Sequence, residues 1–199
     1  MKKLYVLLMA IVAISFTGQA LASYDVTLGK SVTLDGTYGT DPGPWPYYAP
    51  AAGSTLTDGI FAPETELWNL NSVWWNGYSN PANSIQIDLG GLFKINEFKV
   101  QADNNDSYLV EYRVGAGSWL TAYNVPVLAS WGLVTRTENL FTPVWADALR
   151  FTATGGDGYY SVTEIQAFGE SVALPEPMAY TLLLAGLVLI GFKRRRYLF

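Results

Sequence analysis

One feature constrains this chain above all others: an alternation of apolar and polar residues with period two, repeated through its middle. Ile85, Ile87 and Leu89 alternate with Gln86 and Asp88. Phe98, Val100 and Ala102 alternate with Lys99 and Gln101. Tyr108, Val110, Tyr112 and Val114 alternate with Leu109, Glu111 and Arg113, and Leu149, Phe151 and Ala153 with Arg150 and Thr152. Each run places its apolar side chains on one face of an extended strand, half buried. Between the runs lie turn-forming clusters: Gly90-Gly91, Asp103-Asn104-Asn105-Asp106, Gly115-Ala116-Gly117-Ser118 and Gly155-Gly156-Asp157-Gly158. No segment between Ser23 and Glu170 sustains a 3.6-residue period over three turns. The pattern predicts an all-β, antiparallel sandwich or barrel. Half of the residues are hydrophobic and 15% are aromatic, which is enough to fill such a core.

Residues 41–83 depart from the alternation. They are rich in Pro, Gly, Trp and Tyr, and proline cannot donate to a strand ladder, so this stretch reads as a long ordered loop. Its aromatics, Trp45, Tyr47, Tyr48, Trp68, Trp74 and Trp75, either pack on the sandwich or form a binding surface.

The two ends read as addresses. Lys2 and Lys3 precede an apolar run from Leu4 to Phe16. Ala20-Leu21-Ala22 then matches an A-x-A cleavage site, which predicts a signal peptide over residues 1–22 and a mature chain beginning at Ser23. At the other end, the uncharged apolar run Met178–Phe192 is followed by Lys193-Arg194-Arg195-Arg196. With its snorkelling basic residues this approaches the length of a membrane span, and the basic cluster is expected to stay on the cytoplasmic side. Preceded by Pro175-Glu176-Pro177, this order resembles the PEP-CTERM sorting signal of Gram-negative bacteria. The resemblance covers residues 173–199. It implies export, an inner-membrane precursor with its body in the periplasm, and recognition by an exosortase. The tail is then removed near Pro-Glu-Pro, and the body is delivered to the cell surface or the extracellular matrix.

The body between these signals, residues 23–172, excludes much chemistry. The chain has no cysteine and no histidine, so disulfides, thiolate metal sites, histidine ligands and Ser-His-Asp catalysis are ruled out. The body carries six basic and sixteen acidic residues, a net charge of −10. Such a surface repels phosphate backbones, so nucleic acid is not an expected partner, while divalent cations suit it. No nucleophile elbow, P-loop or dinucleotide fingerprint is present. Without His or Cys, the catalytic chemistry to expect first is a carboxylate pair acting on a sugar, and sixteen acids make their pairing uninformative. Asp103-Asn104-Asn105-Asp106 does not begin an EF-hand, because Tyr108 stands where glycine is required and Val114 where glutamate is required.

Several landmarks recur in one order: Thr57-Asp58-Gly59, the Trp-rich segment, Ile85-Gln86-Ile87-Asp88-Leu89-Gly90, Val110-Glu111-Tyr112 leading to Trp119, and a closing Glu164-Ile165-Gln166-Ala167-Phe168-Gly169. Together they resemble the discoidin, or factor 5/8 type C, branch of the galactose-binding-like fold. The resemblance spans nearly the whole body and implies an eight-stranded jelly-roll sandwich, mostly a non-catalytic binder of carbohydrate, lipid or protein. It also implies a structural calcium near the chain ends, for which Asp58 and Glu164 are the matching residues. A hard cation wanting six to eight oxygens would take these carboxylates with loop carbonyls such as those of 49–53. The competing reading is that Asp58 only makes a turn with Gly59 and Glu164 faces solvent. The resemblance places a sugar site in loops at one end, where an aromatic platform needs fixed polar partners. Trp131, Tyr159 and Tyr160 are the candidate platforms, and Asp103 and Asn104 the candidate polar contacts; the family's frequent sugar-contacting histidine is absent. The sequence therefore leads to a non-catalytic, exported binding module for polysaccharide of the envelope or biofilm matrix. The alternatives are a structural matrix protein without a small ligand and a small polysaccharide-active enzyme.

Overall fold

The computed structural model describes residues 23–171. The expected signal peptide with Ala22, and the sorting signal with Pro175, Glu176 and Pro177, lie outside the described residues. Eight strands follow in order: β1 Tyr24–Asp25, β2 Ser31–Asp35, β3 Val73–Asn76, β4 Ser84–Asp103, β5 Ser107–Arg113, β6 Leu120–Val125, β7 Leu133–Gly155 and β8 Tyr159–Ser171. A short 3-10 turn covers Gly53–Thr57. All pairings are antiparallel. Among the described residues there is no α-helix, and no helix is long and apolar enough to cross a membrane.

β4 and β7 organise the sandwich. They pair along nearly their whole length, from Ile85 opposite Phe151 to Asp103 opposite Leu133, and run through both layers. In one layer the order is β2, the first part of β4, the last part of β7, β5 and β6. In the other, β1 and β3 share one edge of β8, at its two ends, while its other edge pairs with the last part of β4, and that with the first part of β7. Inward residues of both layers form one core, including Ile85, Ile87, Phe98, Val100, Tyr108, Val110, Leu149, Phe151 and Ile165.

Two expectations from the sequence need correction. Gly90-Gly91 does not end a strand; it lies inside β4, where the register shifts between Asp88 and Phe93. A second irregularity between Ile95 and Glu97 explains why the two apolar runs of β4 differ in parity. Ile85, Ile87, Leu89, Phe93 and Ile95 face inward at odd positions, and Phe98, Val100 and Ala102 at even ones. One extra residue in a bulge moves every later side chain to the other face, so the shift keeps the apolar set on the core while the strand bends between layers. The second correction concerns residues 41–83, which contain β3. Neighbouring β3 residues point to opposite faces: Trp75 joins the core, while Trp74, also fully buried, lies under an outer aromatic layer. There its ring meets Trp68 edge-on at 5.6 Å and Tyr47 at 5.9 Å, and its indole N–H donates to the Tyr48 carbonyl at 3.0 Å. The proline-rich loop is thereby fastened to the outside of the sheet.

Candidate functional site in the loops at one end

The β4–β5 turn, the β6–β7 loop, the β7–β8 turn and part of the 41–72 loop gather at one end of the sandwich. They enclose a cleft of about 110 Å³ lined by Trp45, Trp68, Asp103, Asn104, Asn105, Trp131 and Asp157, among others. That volume is well below the roughly 300–1,000 Å³ of an enclosing small-molecule pocket. A cleft of this size has room for the edge of a small molecule and not for the whole of one.

Trp131 is 57% exposed, and its ring meets Trp45 edge-on at 6.2 Å. Its position is fixed by the residues around it. The Asn104 side-chain amide donates to the carbonyls of Leu128 at 3.1 Å and Ser130 at 2.6 Å, and its backbone N–H donates to the Gly132 carbonyl. Gly132 has φ +60°, and a Cβ there would stand 2.0 Å from the Glu66 carbonyl oxygen. Only glycine lets the loop pass this close to Glu66, whose carbonyl accepts the Leu133 N–H. Asn104 thus spends its donors positioning the tryptophan loop. Asn105 donates to Asp157 Oδ2 at 2.9 Å and ties the two turns together at the rim.

Beneath the cleft lies a concentration of buried charge. Asp106 is fully buried; its Oδ1 accepts the Asp157 N–H at 3.1 Å and its Oδ2 the Tyr108 hydroxyl at 3.2 Å. Gly156 is required beside it, since a Cβ there would meet Asp106 Oδ1. Burial, reinforced by the charges of Asp103 and Asp157, pushes the Asp106 carboxyl up to about 8. Burial pushes Asp103 up to about 7, opposed by the N–H of Asn104 and the charge of Arg136. Arg136, also buried, donates to the carbonyls of Ala102 at 2.9 Å and Asp103 at 2.6 Å. Burial lowers its own pKa. One buried cation therefore stands under two turns rich in carboxylates. Nothing in the alternation pattern singles out Arg136: β7 pairs it with core-facing Val100, so an arginine stands at an inward position where the pattern predicts an apolar residue.

Of the sequence candidates, Asp103, Asn104 and Trp131 come together in this cleft. Tyr159 and Tyr160 do not join them. They are consecutive on β8 and therefore face opposite ways. Tyr159 backs the outer aromatic layer, 5.9 Å from Trp68 and 6.0 Å from Tyr78. Tyr160 packs on Trp75 at 5.5 Å and Tyr108 at 6.1 Å against the core, so its ring presents no platform. Trp45, Trp68, Asn105 and Asp157 complete the cleft. The two tryptophans stood in the segment read as either packing or binding; both pack on neighbouring aromatics and both line the cleft.

Asp58 and Glu164 meet elsewhere. Glu164 is fully buried, contrary to the solvent-facing alternative; its Oε1 accepts the Gly59 N–H at 3.1 Å, while its Oε2 has no partner. Burial, with the charges of Asp58 and Asp25 adding to it, pushes this carboxyl up to about 8. Asp58 is exposed and makes the turn expected of it, accepting the Ile60 N–H at 2.8 Å. It also lines a cavity of about 280 Å³ with Glu66, whose Oε2 is likewise buried and unpartnered. No group of three or more acidic side chains close enough to hold a metal occurs among the described residues. The orphaned Glu164 oxygen beside a second carboxylate is nevertheless the donor set a hard cation accepts, with backbone carbonyls supplying the remainder.

A scan against protein-family models and a search of curated proteins each gave no match. Solved structures do match. A fucose-binding module of Streptococcus pneumoniae superposes with a TM-score of 0.52 at 13% identity, over 74% of this chain and 96% of that one. A family 32 carbohydrate-binding module of C. perfringens NanJ, solved with galactose, gives 0.49 at 15% identity, over 74% and 98%. A chitosan-binding module from a chitosanase/glucanase of Paenibacillus sp. IK-5 gives 0.48 at 21%, over 73% and 99%. At these identities the likeness is one of fold: the described domain shares the antiparallel β-sandwich of the fucose-binding module. These neighbours are binding modules, some of them carried by larger enzymes.

Proposed function

We propose that this protein is an exported, non-catalytic carbohydrate-binding module that engages polysaccharide through the loop cleft around Trp131. The observation that carries this reading is the convergence of a half-exposed tryptophan with fixed amide and carboxyl groups from separate loops. An indole face takes the C–H face of a sugar ring, and the polar rim at Asp103, Asn105 and Asp157 takes its hydroxyls. The fold shared with a fucose-binding module supports the class of ligand. The same reading gives the termini their roles: a signal peptide cleaved before Ser23, an inner-membrane precursor, and exosortase processing near Pro175-Glu176-Pro177 that delivers the body to the envelope or biofilm matrix. The carboxylates of Asp58 and Glu164 would hold a structural calcium ion, joining the segment after the 3-10 turn to β8.

The test is binding of the full chain to a glycan array and to the producing cell's extracted matrix polysaccharide, with Trp131→Ala alongside. Loss of a stacking platform costs about 1–2 kcal/mol of affinity, roughly five- to thirtyfold, without loss of fold. Equal binding by the variant, or no glycan bound by either protein, rejects the cleft.

A further inference from the structure

A larger groove lies away from the loops, on the outer face of the β2–β4–β7–β5 layer. It has a volume of about 480 Å³ and is lined by Thr33, Gln86, Asp88, Arg113, Asp147 and Ala148, among others. Strand register explains its shape. Thr33 stands opposite Gln86, and Ala148 stands between Asp88 on one side and Arg113 on the other. A single methyl group therefore forms the floor where longer side chains rise on both flanks. Neighbouring strands are about 4.8 Å apart, so a chain laid across them meets new hydrogen-bonding side chains at each strand in turn.

The charges in this groove are unequal. Asp88 and Asp147 each give one oxygen to a glycine N–H, of Gly90 at 2.8 Å and Gly115 at 2.6 Å, leaving the second oxygen outside that bond. Arg113, the one cation among the lining residues, lies over the Trp119 ring at 4.5 Å, and its Nε is buried without a partner; of the cations beside the groove, Arg150 is paired with Glu111 at 2.6 Å and Lys30 lies over the Phe93 ring at 5.4 Å. Two carboxylates thus meet a guanidinium already engaged with an aromatic face, on a body of net charge −10. The field favours a cationic occupant. A basic peptide would bind best along an unpaired strand edge, but this groove crosses strands whose backbones are already paired. It offers side-chain hydrogen bonds alone, the kind a hydroxyl-bearing ring uses at every repeat.

We propose that this sheet-face groove is a second glycan site, independent of the loop cleft, which binds the interior of a linear amino-sugar polysaccharide in its cationic form. One chain of this protein would then hold two polysaccharide strands, one at each site.

The experiment is calorimetric titration of the purified full chain with a glucosamine hexamer, beside the fully N-acetylated hexamer and hexalysine. The variants are Asp88→Asn with Asp147→Asn, Thr33→Lys and Trp131→Ala. Both asparagines keep the acceptor for their glycine N–H, and Thr33 is exposed, so Thr33→Lys introduces an opposing charge without a buried cost. Binding of the glucosamine hexamer should survive Trp131→Ala. It should weaken about tenfold or more in the double variant and in Thr33→Lys, and the N-acetylated hexamer should bind at least as much more weakly. Undiminished binding in both groove variants overturns the proposal. So does hexalysine binding as tightly as the sugar, or loss of the hexamer's binding in Trp131→Ala, which would place it in the loop cleft instead.

Discussion

The substitution Asp106→Asn tests how the loop end is held together. It removes one buried negative charge and keeps an oxygen to accept the Asp157 N–H. In the wild-type protein the two hydrogen bonds that Asp106 accepts favour its charged form. Burial and the charges of Asp103 and Asp157 outweigh them, so the carboxyl rises from 3.8 to about 8. The folded protein therefore holds a proton that the unfolded chain has already released. Stability is fully present below about pH 4 and is lost as pH rises through about 8, after which both states are ionised and the loss is constant. A shift of this size, at roughly 1.4 kcal/mol per pKa unit, amounts to about 6 kcal/mol. The assay is urea unfolding of both proteins from pH 4 to pH 9. The difference in stability should be near zero at pH 4 and grow steadily in the variant's favour, reaching several kcal/mol by pH 9. Working with the difference removes Glu164, which titrates in the same window, whereas Asp103 is coupled to Asp106 and its own shift in the variant is part of the measured difference. A variant less stable than wild type by the same amount at every pH would refute the reasoning, because it would mean that Arg136 already neutralises the site.

Three further outcomes are expected. At pH 8, calcium at about a hundred times its dissociation constant should stabilise the wild-type protein by about 2.7 kcal/mol; Glu164→Gln should ignore calcium and, in chelator, melt above wild type, and identical wild-type melting with and without calcium removes the ion from this site. Trp68→Ala should cost about 3–5 kcal/mol of stability, because the ring is buried against Trp74 and Tyr159, while Trp131→Ala should leave the melting temperature within about 4 °C of wild type; similar melting of the two variants would contradict the division between support and platform. Mass spectrometry of surface fractions from an exosortase-bearing cell should find a chain that begins at Ser23 and ends near Pro175-Glu176-Pro177, and recovery of only the complete, membrane-bound tail would count against sorting.

The strands of the second half were legible because each is half buried, and half burial writes period two into the sequence. Where a strand is buried on both faces the signal disappears. β3, Val73–Asn76, is buried at every position, so Trp74 and Trp75 read as loop aromatics in a proline-rich segment. The long strands hid in another way. In β4 the bulge between Ile95 and Glu97 reverses parity, and Gly90-Gly91 mimics a turn, so one strand reads as two. Glu164 was found through its place in a motif. Its burial was not legible, because a carboxylate on a strand normally marks the solvent face.

The cleft was legible in its loops and illegible in its division of labour. Trp131, Asp103 and Asn104 came from turn chemistry and a lone aromatic between strands, and those signals survive folding because loops at one end of a sandwich must converge. Which aromatics stay free is decided by pairing across the sheet. β3 seats Trp75 opposite Tyr160. Once Trp75 enters the core, Tyr160 follows it and Tyr159 is sent outward to Trp68. The remaining tryptophan of that outer layer, Trp45, then meets Trp131 at the rim. Trp131 is thus backed edge-on by Trp45, and across the cleft stands Trp68, itself held edge-on against buried Trp74, whose strand neighbour Trp75 enters the core. A rigid aromatic support of this kind restricts the Trp131 indole in the free protein, so under the proposed function less rotamer entropy would be lost on binding a sugar.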